Sequence, residues 1–582
     1  MMNEIRERLR KLRERMKSEG VDAYYIPTSD FHFSEYVSDY FKVREYFSGF
    51  TGSAGELLVT ADDAFLWTDG RYFIQAEKEL EGSGIRLMKS GTDGVPDIFS
   101  FLEKNLSKKG VLGFDGRTVN AKLALKFKKI AKKLAYKKDL TSEIFKRPPF
   151  PSSPIESLPD DVTGKNAAEK LGAVREKLKE AGVSSIFISA LDEIAYVLNI
   201  RGRDVQYNPV AMAYLYITDE KAYLLAGDGK SGIAYQGIII RPYSDAESFL
   251  RSGSVRKKTA LDLSTTGYLH YRLIKKRSKI TEMSSPVRMM KAVKNDTEIK
   301  RLKDIYLKDS LALTRFIRWM GENGSGLSET KAAETLLGFR KRIPEFRDLS
   351  FETISAYGKN AAIIHYSPKE ESCAIVENRG LYMVDSGGQY LGGTTDVTRT
   401  IAMGELTPKE KEAFTLVAAG MLEILNCVFL KGCMGYDIDI LARNGLWKKG
   451  YDYRHGTGHG VGYMLNVHEG PCSIRMKALD TDVMLEPGMV ISDEPGVYRE
   501  GEFGVRTENI LLVKKKNTTP DGEFYCFESL TKVPIDDRAM DKSLLSDMQR
   551  GYYESYQKEV YDALSPFMDE DERNWLKDYS GI

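Results

Sequence analysis

The sequence predicts an α+β protein of three domains, and three observations lead to this prediction. A segment near the N-terminus is repeated further along the chain, a cluster of prolines follows the first copy, and the second half of the chain alternates capped helices with strands. With 582 residues, the chain is long enough for each domain to bury a core of its own.

The first two domains are predicted from the internal repeat. The stretch RERMKSEGVDAYYIPTSD at 13–30 resembles REKLKEAGVSSIFISALD at 175–192, at a constant offset of 162 residues, which is 175 minus 13. In each copy an amphipathic helix ends at a glycine, Gly20 or Gly182, and an apolar, β-rich run follows. A helix stop followed by a strand is typical of an α/β unit, so two related α/β domains are expected.

Two breaks in the pattern give the domain boundaries. The prolines after the first copy continue neither a helix nor a central strand. They are Pro148, Pro149, Pro151, Pro154 and Pro159. A second break precedes Asn295, where an N-cap cluster opens an amphipathic helix that we expect to run through Met320. We therefore predict domains at 1–147, 160–290 and 294–582.

The third domain combines well-marked helices with alternating strands. Thr407 begins a capping box with proline at the first helical position, and a further helix from Asp437 closes at Gly450. Strands are expected within 381–404, 490–498 and 504–513. Helices separated from hairpin-connected strands favour a curved antiparallel sheet with helices on its outer face, which leaves the concave face free for a site.

Composition argues against several classes of partner. Lys and Arg number 85 against 84 Asp and Glu, without a long run of one sign, so we expect no nucleic-acid or polybasic membrane surface. The N-terminus is a charged helical pattern, and no run of 18 apolar residues occurs. The five cysteines form no C-x-x-C pair, which suits a reducing compartment. We therefore predict a cytoplasmic protein that contacts no membrane.

Three of the six histidines lie in RHGTGHGVGYMLNVHE, at 454–469. Glycine at every second position from Gly456 to Gly462 favours an extended backbone that runs close to whatever the imidazoles bind, with His455 and His459 on one face. A helical zinc motif would have to accept four glycines at about 1 kcal/mol each. The spacing also fails the dinucleotide fingerprint. The segment therefore indicates a metal or catalytic site.

Four carboxylates join His459 in a candidate metal site. Asp385 ends an apolar strand and Asp396 lies on the returning strand, so a hairpin brings them together. Two such carboxylates repel each other unless they share a cation or a proton. Glu494 in SDEP and Glu508 in RTEN complete a set of five. The oxygen majority suits two divalent cations, Mn²⁺ first, with Co²⁺ or Zn²⁺ as alternatives.

Together these motifs resemble the metallopeptidases of the creatinase and methionine aminopeptidase group, which have the pita-bread fold. The blocks VDSGG, TTDVTRT, HGTGHGVG followed by NVHE, SDEPGVY and RTEN occur in this order. The resemblance implies a C-terminal pita-bread catalytic domain after two creatinase-like α/β domains, in a homodimer. It also implies the metal ligands Asp385, Asp396, His459, Glu494 and Glu508, with Asp396 and Glu508 as the bridging carboxylates.

The resemblance further implies the residues that act on substrate. His365, His455 and His468 fall where the proline-specific branch places its substrate-handling histidines, and Glu494 is the expected proton acceptor. By itself, His365 in Ile-His-Tyr would be a core histidine. Roles for the individual histidines in oxyanion stabilisation or in holding the proline are not separated by sequence.

Three further residues are substrate-binding candidates. Tyr498 and Arg506 flank the two glutamate ligands, and Arg506 is expected to orient Glu508 from the same strand face. Arg71, in WTDGRY, is either a surface charge or a substrate contact that helps close a channel.

The implied activity is hydrolysis of the N-terminal Xaa-Pro bond of peptides by a hydroxide that bridges two metals. Prolidase, which cleaves only dipeptides, is the first alternative, but the duplicated N-terminal domains argue against it. A non-catalytic module that binds peptides or histones is the second, and metal-free amidino hydrolysis is the third. The complete ligand set argues against both of these.

Overall fold

The computed structural model describes residues 2–227 and 237–582, and it divides into two compact units. Unit 1 comprises the residues up to 160 together with 165–288, and unit 2 comprises 161–164 together with 289–582. Unit 1 contains both copies of the repeat, and unit 2 contains all five predicted metal ligands. The three domain boundaries given above stay predictions.

Unit 1 is built from two six-stranded mixed sheets with the same order of strands. In each sheet the first strand of the repeat lies between an antiparallel and a parallel neighbour. Those first strands, Ala23–Pro27 and Ser185–Ile188, begin 162 residues apart, which is the offset of the repeat. The two sheets are therefore two copies of one arrangement, as the repeat implies.

The bounds of these elements follow the alternation of helix and strand. In order across the first sheet the strands are Ile85–Lys89, Ala64–Thr68, Glu56–Thr60, Ala23–Pro27, Val111–Gly113 and Lys133–Ala135. Across the second they are Ile238–Pro242, Ala222–Ala226, Ala213–Thr218, Ser185–Ile188, Lys258–Leu261 and Lys279–Glu282. The helices are Met2–Glu19, Val43–Ser48, Phe73–Leu80, Ile98–Asn105, Ala121–Ile130, Ala167–Glu180, Leu191–Val197, Ala246–Arg251 and Tyr268–Lys275.

One apolar core joins the two sheets of unit 1. Tyr268 of the second copy packs against Phe114 and Tyr136 of the first, with ring centroids 6.1 and 4.8 Å apart. The backbone N–H of Ala121 donates to the carbonyl of Thr266 at 2.8 Å, which fixes the two copies to each other as well. The copies therefore bury part of their apolar surface only in each other's presence.

Unit 2 is an α+β fold whose antiparallel strands hold the candidate site. Leu381–Ser386 pairs with Ile354–Tyr357 on one side and with Val397–Ala402 on the other. Asn509–Thr519 pairs with Val490–Asp493 and with Gly522–Ser529, which itself pairs with Val428–Leu430. The shorter strands are Phe346–Leu349, Gly388–Tyr390, Gly393–Thr394, Gly458–His459, Ser473–Ile474, Gly496–Arg499 and Phe503–Arg506.

The predicted helix starts of unit 2 occur where the capping signals lie. Asn295 caps Asp296–Asn323, which runs three residues beyond the predicted end, and Thr407 caps Pro408–Leu425. In both caps the side chain accepts from the third helical N–H, as a capping box requires. The helices are Asp296–Asn323, Glu329–Arg340, Pro408–Leu425, Gly435–Trp447, Asp547–Leu564 and Glu570–Ser580. Two short helices, Asp160–Thr163 and Pro286–Ala292, contain residues of both units. None of the described helices combines the length and apolar character that crossing a bilayer needs.

Candidate metal centre

Neighbouring strands bring three carboxylates together. Asp385 lies in Leu381–Ser386, opposite Thr398 of the return strand, and Asp396 directly precedes that strand. The backbone N–H of Glu508 donates to the carbonyl of Thr398 at 3.1 Å, which places the third carboxylate beside the pair. One oxygen from each of Asp385, Asp396 and Glu508 lies within 4.8 Å of the others. The hairpin expected from the sequence thus forms one acidic cluster with Glu508.

His459 completes this cluster together with Glu494. The Nε2 atom of His459 lies 3.5 Å from Oδ2 of Asp396 and 3.3 Å from Oε1 of Glu494. Its Nδ1 atom lies 3.0 Å from the carbonyl oxygen of Gly460, to which it donates, so Nε2 faces the carboxylates as a metal-binding nitrogen does. Two of the potential metal-binding groups contain His459, one with Glu494 and Glu508.

The charges of the cluster fit two divalent cations. Among the described residues, Oδ1 of Asp385 and Oε1 of Glu508 are buried without a hydrogen-bond donor. Burial, offset in part by Arg506, raises the pKa of Asp385 to about 6. Burial and the charges of Asp396 and Glu494 raise the pKa of Glu508 well above its usual range. Buried carboxylates in such a group stay ionised when cations compensate them, and hard divalent cations prefer oxygen donors.

The alternating glycines of the histidine segment bring backbones against one another. A Cβ atom on Gly458 would lie 1.9 Å from the carbonyl oxygen of Ser492, and one on Gly460 would lie 2.1 Å from that of Glu469. The pair Gly458–His459 is a short strand, and no part of 454–469 is helical. The extended backbone predicted for His459 is present. Gly458 and Gly460 are needed there because neighbouring backbone lies directly against them.

His455 belongs to a second, connected network. Its Nε2 atom lies 2.8 Å from the hydroxyl of Tyr498, and its Nδ1 atom lies 2.8 Å from the carbonyl oxygen of Gly456. The Tyr498 oxygen accepts from Arg506 at 2.7 Å, and Arg506 donates to Oδ2 of Asp385 at 2.6 Å. None of the metal-binding groups among the described residues contains His455. The network links His455 to a metal-ligand candidate through two side chains.

The role expected of Arg506 needs a correction. We expected it to orient Glu508, but its carboxylate partner is Asp385. Arg506 reaches Glu508 indirectly: its Nε atom donates to the hydroxyl of Thr398 at 3.3 Å, and that hydroxyl donates to Oε2 of Glu508 at 2.9 Å. The expectation assumed one continuous strand, whereas strand Phe503–Arg506 ends at the arginine and the next strand begins at Asn509. Residues two apart across such a break need not share a face. The threonine was not predicted, although it lies in the motif TTDVTRT, which is the signal that could have identified it.

The other predicted site residues lie at different distances from the metal cluster. The rings of His468 and His459 have centroids 4.2 Å apart, and one ring nitrogen of His468 lies within 4.8 Å of a donor atom of Asp396 and of His459. His365 is half-buried in the segment after a short 3₁₀ helix, beside Ile364, whose carbonyl oxygen lies 3.4 Å from Arg506. His468 therefore lies closer to the ligand set than we expect for a residue that contacts only the substrate.

Arg71 lies in unit 1, where its guanidinium forms a bidentate pair with a neighbouring carboxylate. Its Nε and Nη2 atoms donate to the two oxygens of Asp69, both at 2.8 Å. The pair accounts for the charge of Arg71 locally. Its contact with substrate stays a prediction.

A buried ion-pair triad beside the site was not predicted. Glu469 follows His468 and lies 3.1 Å from the ammonium groups of both Lys291 and Lys294. The three residues are only 3, 4 and 4% exposed, respectively. Lysine is almost never fully buried unless it is paired, so the sequence gives no local signal for these two. The only sequence signal for the triad is that Glu469 directly follows His468.

Four family models match successive, non-overlapping parts of the chain. The models named Creatinase/Prolidase N-terminal domain match residues 8–144 and 146–298, Metallopeptidase family M24 matches 300–515, and the C-terminal region of peptidase M24 matches 523–580. Xaa-Pro aminopeptidase 1 of Dictyostelium discoideum is 39% identical, over 98% of this chain and 96% of the relative. Aminopeptidase P2 of Arabidopsis thaliana is 40% identical, over 94% and 84%.

Two solved structures are similar to this chain, one over its whole length and one over part of it. X-prolyl aminopeptidase from Caenorhabditis elegans, described as a cytosolic enzyme with a di-nuclear active site, has a TM-score of 0.93. It is 31% identical, and the match covers 99% of each chain. Xaa-Pro dipeptidase from Bacillus anthracis is 27% identical with a TM-score of 0.52, and the match covers 64% of this chain and 99% of the dipeptidase.

Proposed function

The chain belongs to the Xaa-Pro aminopeptidases of metallopeptidase family M24, and we propose that it removes the N-terminal residue from peptides with proline at the second position. One observation of its own residues supports this most strongly. Four carboxylates and His459 meet in one cluster that contains buried oxygens without donors. We assign two divalent cations to Asp385, Asp396, His459, Glu494 and Glu508.

The cations would supply Lewis-acid activation of water and of the scissile carbonyl when bound. Glu494 is the proton acceptor in this proposal, and it returns the proton to the leaving proline nitrogen. Burial raises the pKa of Glu494 above that of an exposed glutamate, which is the direction that favours a proton acceptor. The hydroxyl of Ser492 donates to its Oε1 atom at 3.1 Å and fixes its orientation.

The histidines and their partners hold the peptide. Arg506 donates to the Tyr498 oxygen, so the hydrogen of that hydroxyl remains free to donate to His455 or to a substrate oxygen. We assign His455, His468 and His365 to the developing oxyanion and to the proline residue.

The alternatives receive less support. Both copies of the N-terminal repeat are present, whereas the match to the Bacillus dipeptidase covers only 64% of this chain, so prolidase is not favoured. A binding module without catalysis would have no need of the complete ligand set.

We also propose the native metal and the compartment. The donor set of four carboxylates and one imidazole favours Mn²⁺, with Co²⁺ or Zn²⁺ as alternatives. A cytoplasmic location is supported by the description of the C. elegans relative as cytosolic.

Treatment with a chelator is expected to abolish cleavage of an Xaa-Pro-Yaa tripeptide, and Mn²⁺ is expected to restore it. The reason is that none of the proposed ligands activates water without a cation. Release of the first residue is measured beside elemental analysis, with an Xaa-Pro dipeptide and an Xaa-Ala-Yaa tripeptide as comparisons. Full activity after verified metal removal would contradict the metal assignment. Cleavage of the dipeptide alone would identify a prolidase.

We propose that the chain forms a homodimer and that the helix Gly435–Trp447 lies in the interface. Tyr436, Ile440 and Trp447 share one face of this helix and are 37, 44 and 43% exposed. Clustered apolar side chains on a surface mark an interface, here with a second copy of the chain. Ile440→Asp is expected to convert dimer to monomer in sedimentation equilibrium at unchanged metal content. Ile375→Asp, at a 54% exposed position outside that helix, is the control and should stay dimeric. A dimeric Ile440→Asp variant would argue against this surface.

A further inference from the structure

A buried carboxylate holds both ends of the segment that contains His365. Glu329 is the first residue of the helix Glu329–Arg340 and is fully buried. It accepts from the backbone N–H of Tyr357 at 2.6 Å and from that of Ala374 at 2.7 Å. These two hydrogen bonds fix the beginning and the end of 357–374 against one side chain.

Two side chains within the segment also donate to Glu329. The hydroxyl of Tyr366 donates to Oε2 at 2.7 Å, and the amide of Asn360 donates to the two carboxylate oxygens at 3.1 and 3.0 Å. The Asn360 amide also donates to the Tyr366 hydroxyl at 3.0 Å. All these donors are uncharged groups. Their hydrogen bonds replace the hydration that burial removes from the carboxylate. Such an anion constrains the groups that surround it.

The opposite side of the segment is held by the metal centre. Arg506, which donates to Asp385, also donates to the carbonyl of Ile364 at 3.4 Å. A Cβ atom on Gly504 would lie 1.9 Å from the carbonyl oxygen of Ala361, so the segment packs directly on that strand. His365 therefore lies between two neighbours that are each fixed, Ile364 by Arg506 and Tyr366 by Glu329.

We propose that Glu329 is a positioning residue for the peptidase reaction. It acts through Tyr366 and through the backbone of 357–374, and it holds His365 at the place where the substrate binds. Glu329 itself belongs to none of the metal-binding groups of the described residues. The inference rests on the proposed function, in which His365 contacts the substrate.

Glu329→Gln tests the proposal, because the amide keeps the shape but turns one acceptor into a donor that faces other donors. We expect kcat/KM for an Xaa-Pro-Yaa tripeptide to fall about 10- to 100-fold, the range that a small displacement of a catalytic group produces. Metal content is expected to stay at the wild-type value. Glu334→Gln, on the exposed face of the same helix, is the matched control and should leave kcat/KM unchanged.

A double-mutant cycle separates positioning from a general loss of stability. In a His365→Ala background, Glu329→Gln is expected to change kcat/KM by less than about two-fold, because the group that it positions is gone. An equal fold-loss in both backgrounds, or unchanged kcat/KM in Glu329→Gln itself, would overturn the inference and leave the proposed function standing. Wild-type protein that does not cleave the tripeptide would instead overturn the proposed function.

A second variant keeps the test informative if Glu329→Gln does not fold. Tyr366→Phe removes only the hydroxyl that donates to Glu329. It is expected to lower kcat/KM in the same direction by a smaller factor, and again to have no further effect in the His365→Ala background. A loss that persists in that background would overturn the inference.

Discussion

Replacing His459 by alanine is expected to remove bound metal and activity together. Its Nε2 atom faces Asp396 and Glu494 at 3.5 and 3.3 Å, while Nδ1 is held by a backbone carbonyl. Loss of a group that only supports a ligand typically costs about 10- to 100-fold in metal affinity, so loss of a ligand should cost more.

His455→Ala, four residues away, is expected to differ in kind. The protein should keep its metals and lose about 10²- to 10³-fold in kcat, as when one oxyanion donor is removed. Elemental analysis beside steady-state kinetics of both variants measures the contrast. If His455→Ala loses metal as His459→Ala does, the assignment of the ligands is wrong.

Glu469→Gln is expected to lower the free energy of unfolding of unit 2 by about 3–5 kcal/mol, the usual cost of breaking a buried ion pair. The change leaves the ammonium groups of Lys291 and Lys294 buried without their carboxylate, each having lain 3.1 Å from it. The amide of glutamine adds two donors where an acceptor is needed. The urea midpoint of the unit 2 transition measures the loss.

An exposed glutamate offers a matched control for this experiment. Glu523 also lies between two lysines, at 2.8 Å from Lys431 and 2.6 Å from Lys515, but all three are on the surface. Glu523→Gln should shift the midpoint little, because exposed pairs are screened by solvent. Equal shifts in the two variants would show that burial of the Glu469 triad does not decide its contribution.

The clustering of the acidic residues and the helix starts could be predicted because their signals are local. Asp385 and Asp396 flank one hairpin, and the caps at Asn295 and Thr407 need only the next three residues. His459 could be recognised because glycines flank it on alternate positions. For these residues a short stretch of sequence contains both the group and its geometry.

The groups that hold the site could not be predicted in this way. Glu329 takes its donors from residues 28 to 45 positions later, and no motif marks it. Lys291 and Lys294 pair with a residue more than 170 positions away, so they read as ordinary surface lysines. Arg506 pairs directly with Asp385 and reaches Glu508 through Thr398, because a break in its strand, which is not visible in RTEN, separates it from Glu508. Tertiary contacts decide all of these.

Because the two sheets of unit 1 share one core, the first copy cannot finish folding on the ribosome before the second emerges. The shared cluster begins at Ala23 and ends at Ile274. At translation rates of about 5–20 residues per second, the wait between the two copies is on the order of 10 s. During that interval aromatic side chains such as Phe114 lack their partner Tyr268 and remain accessible to chaperones and to other nascent chains.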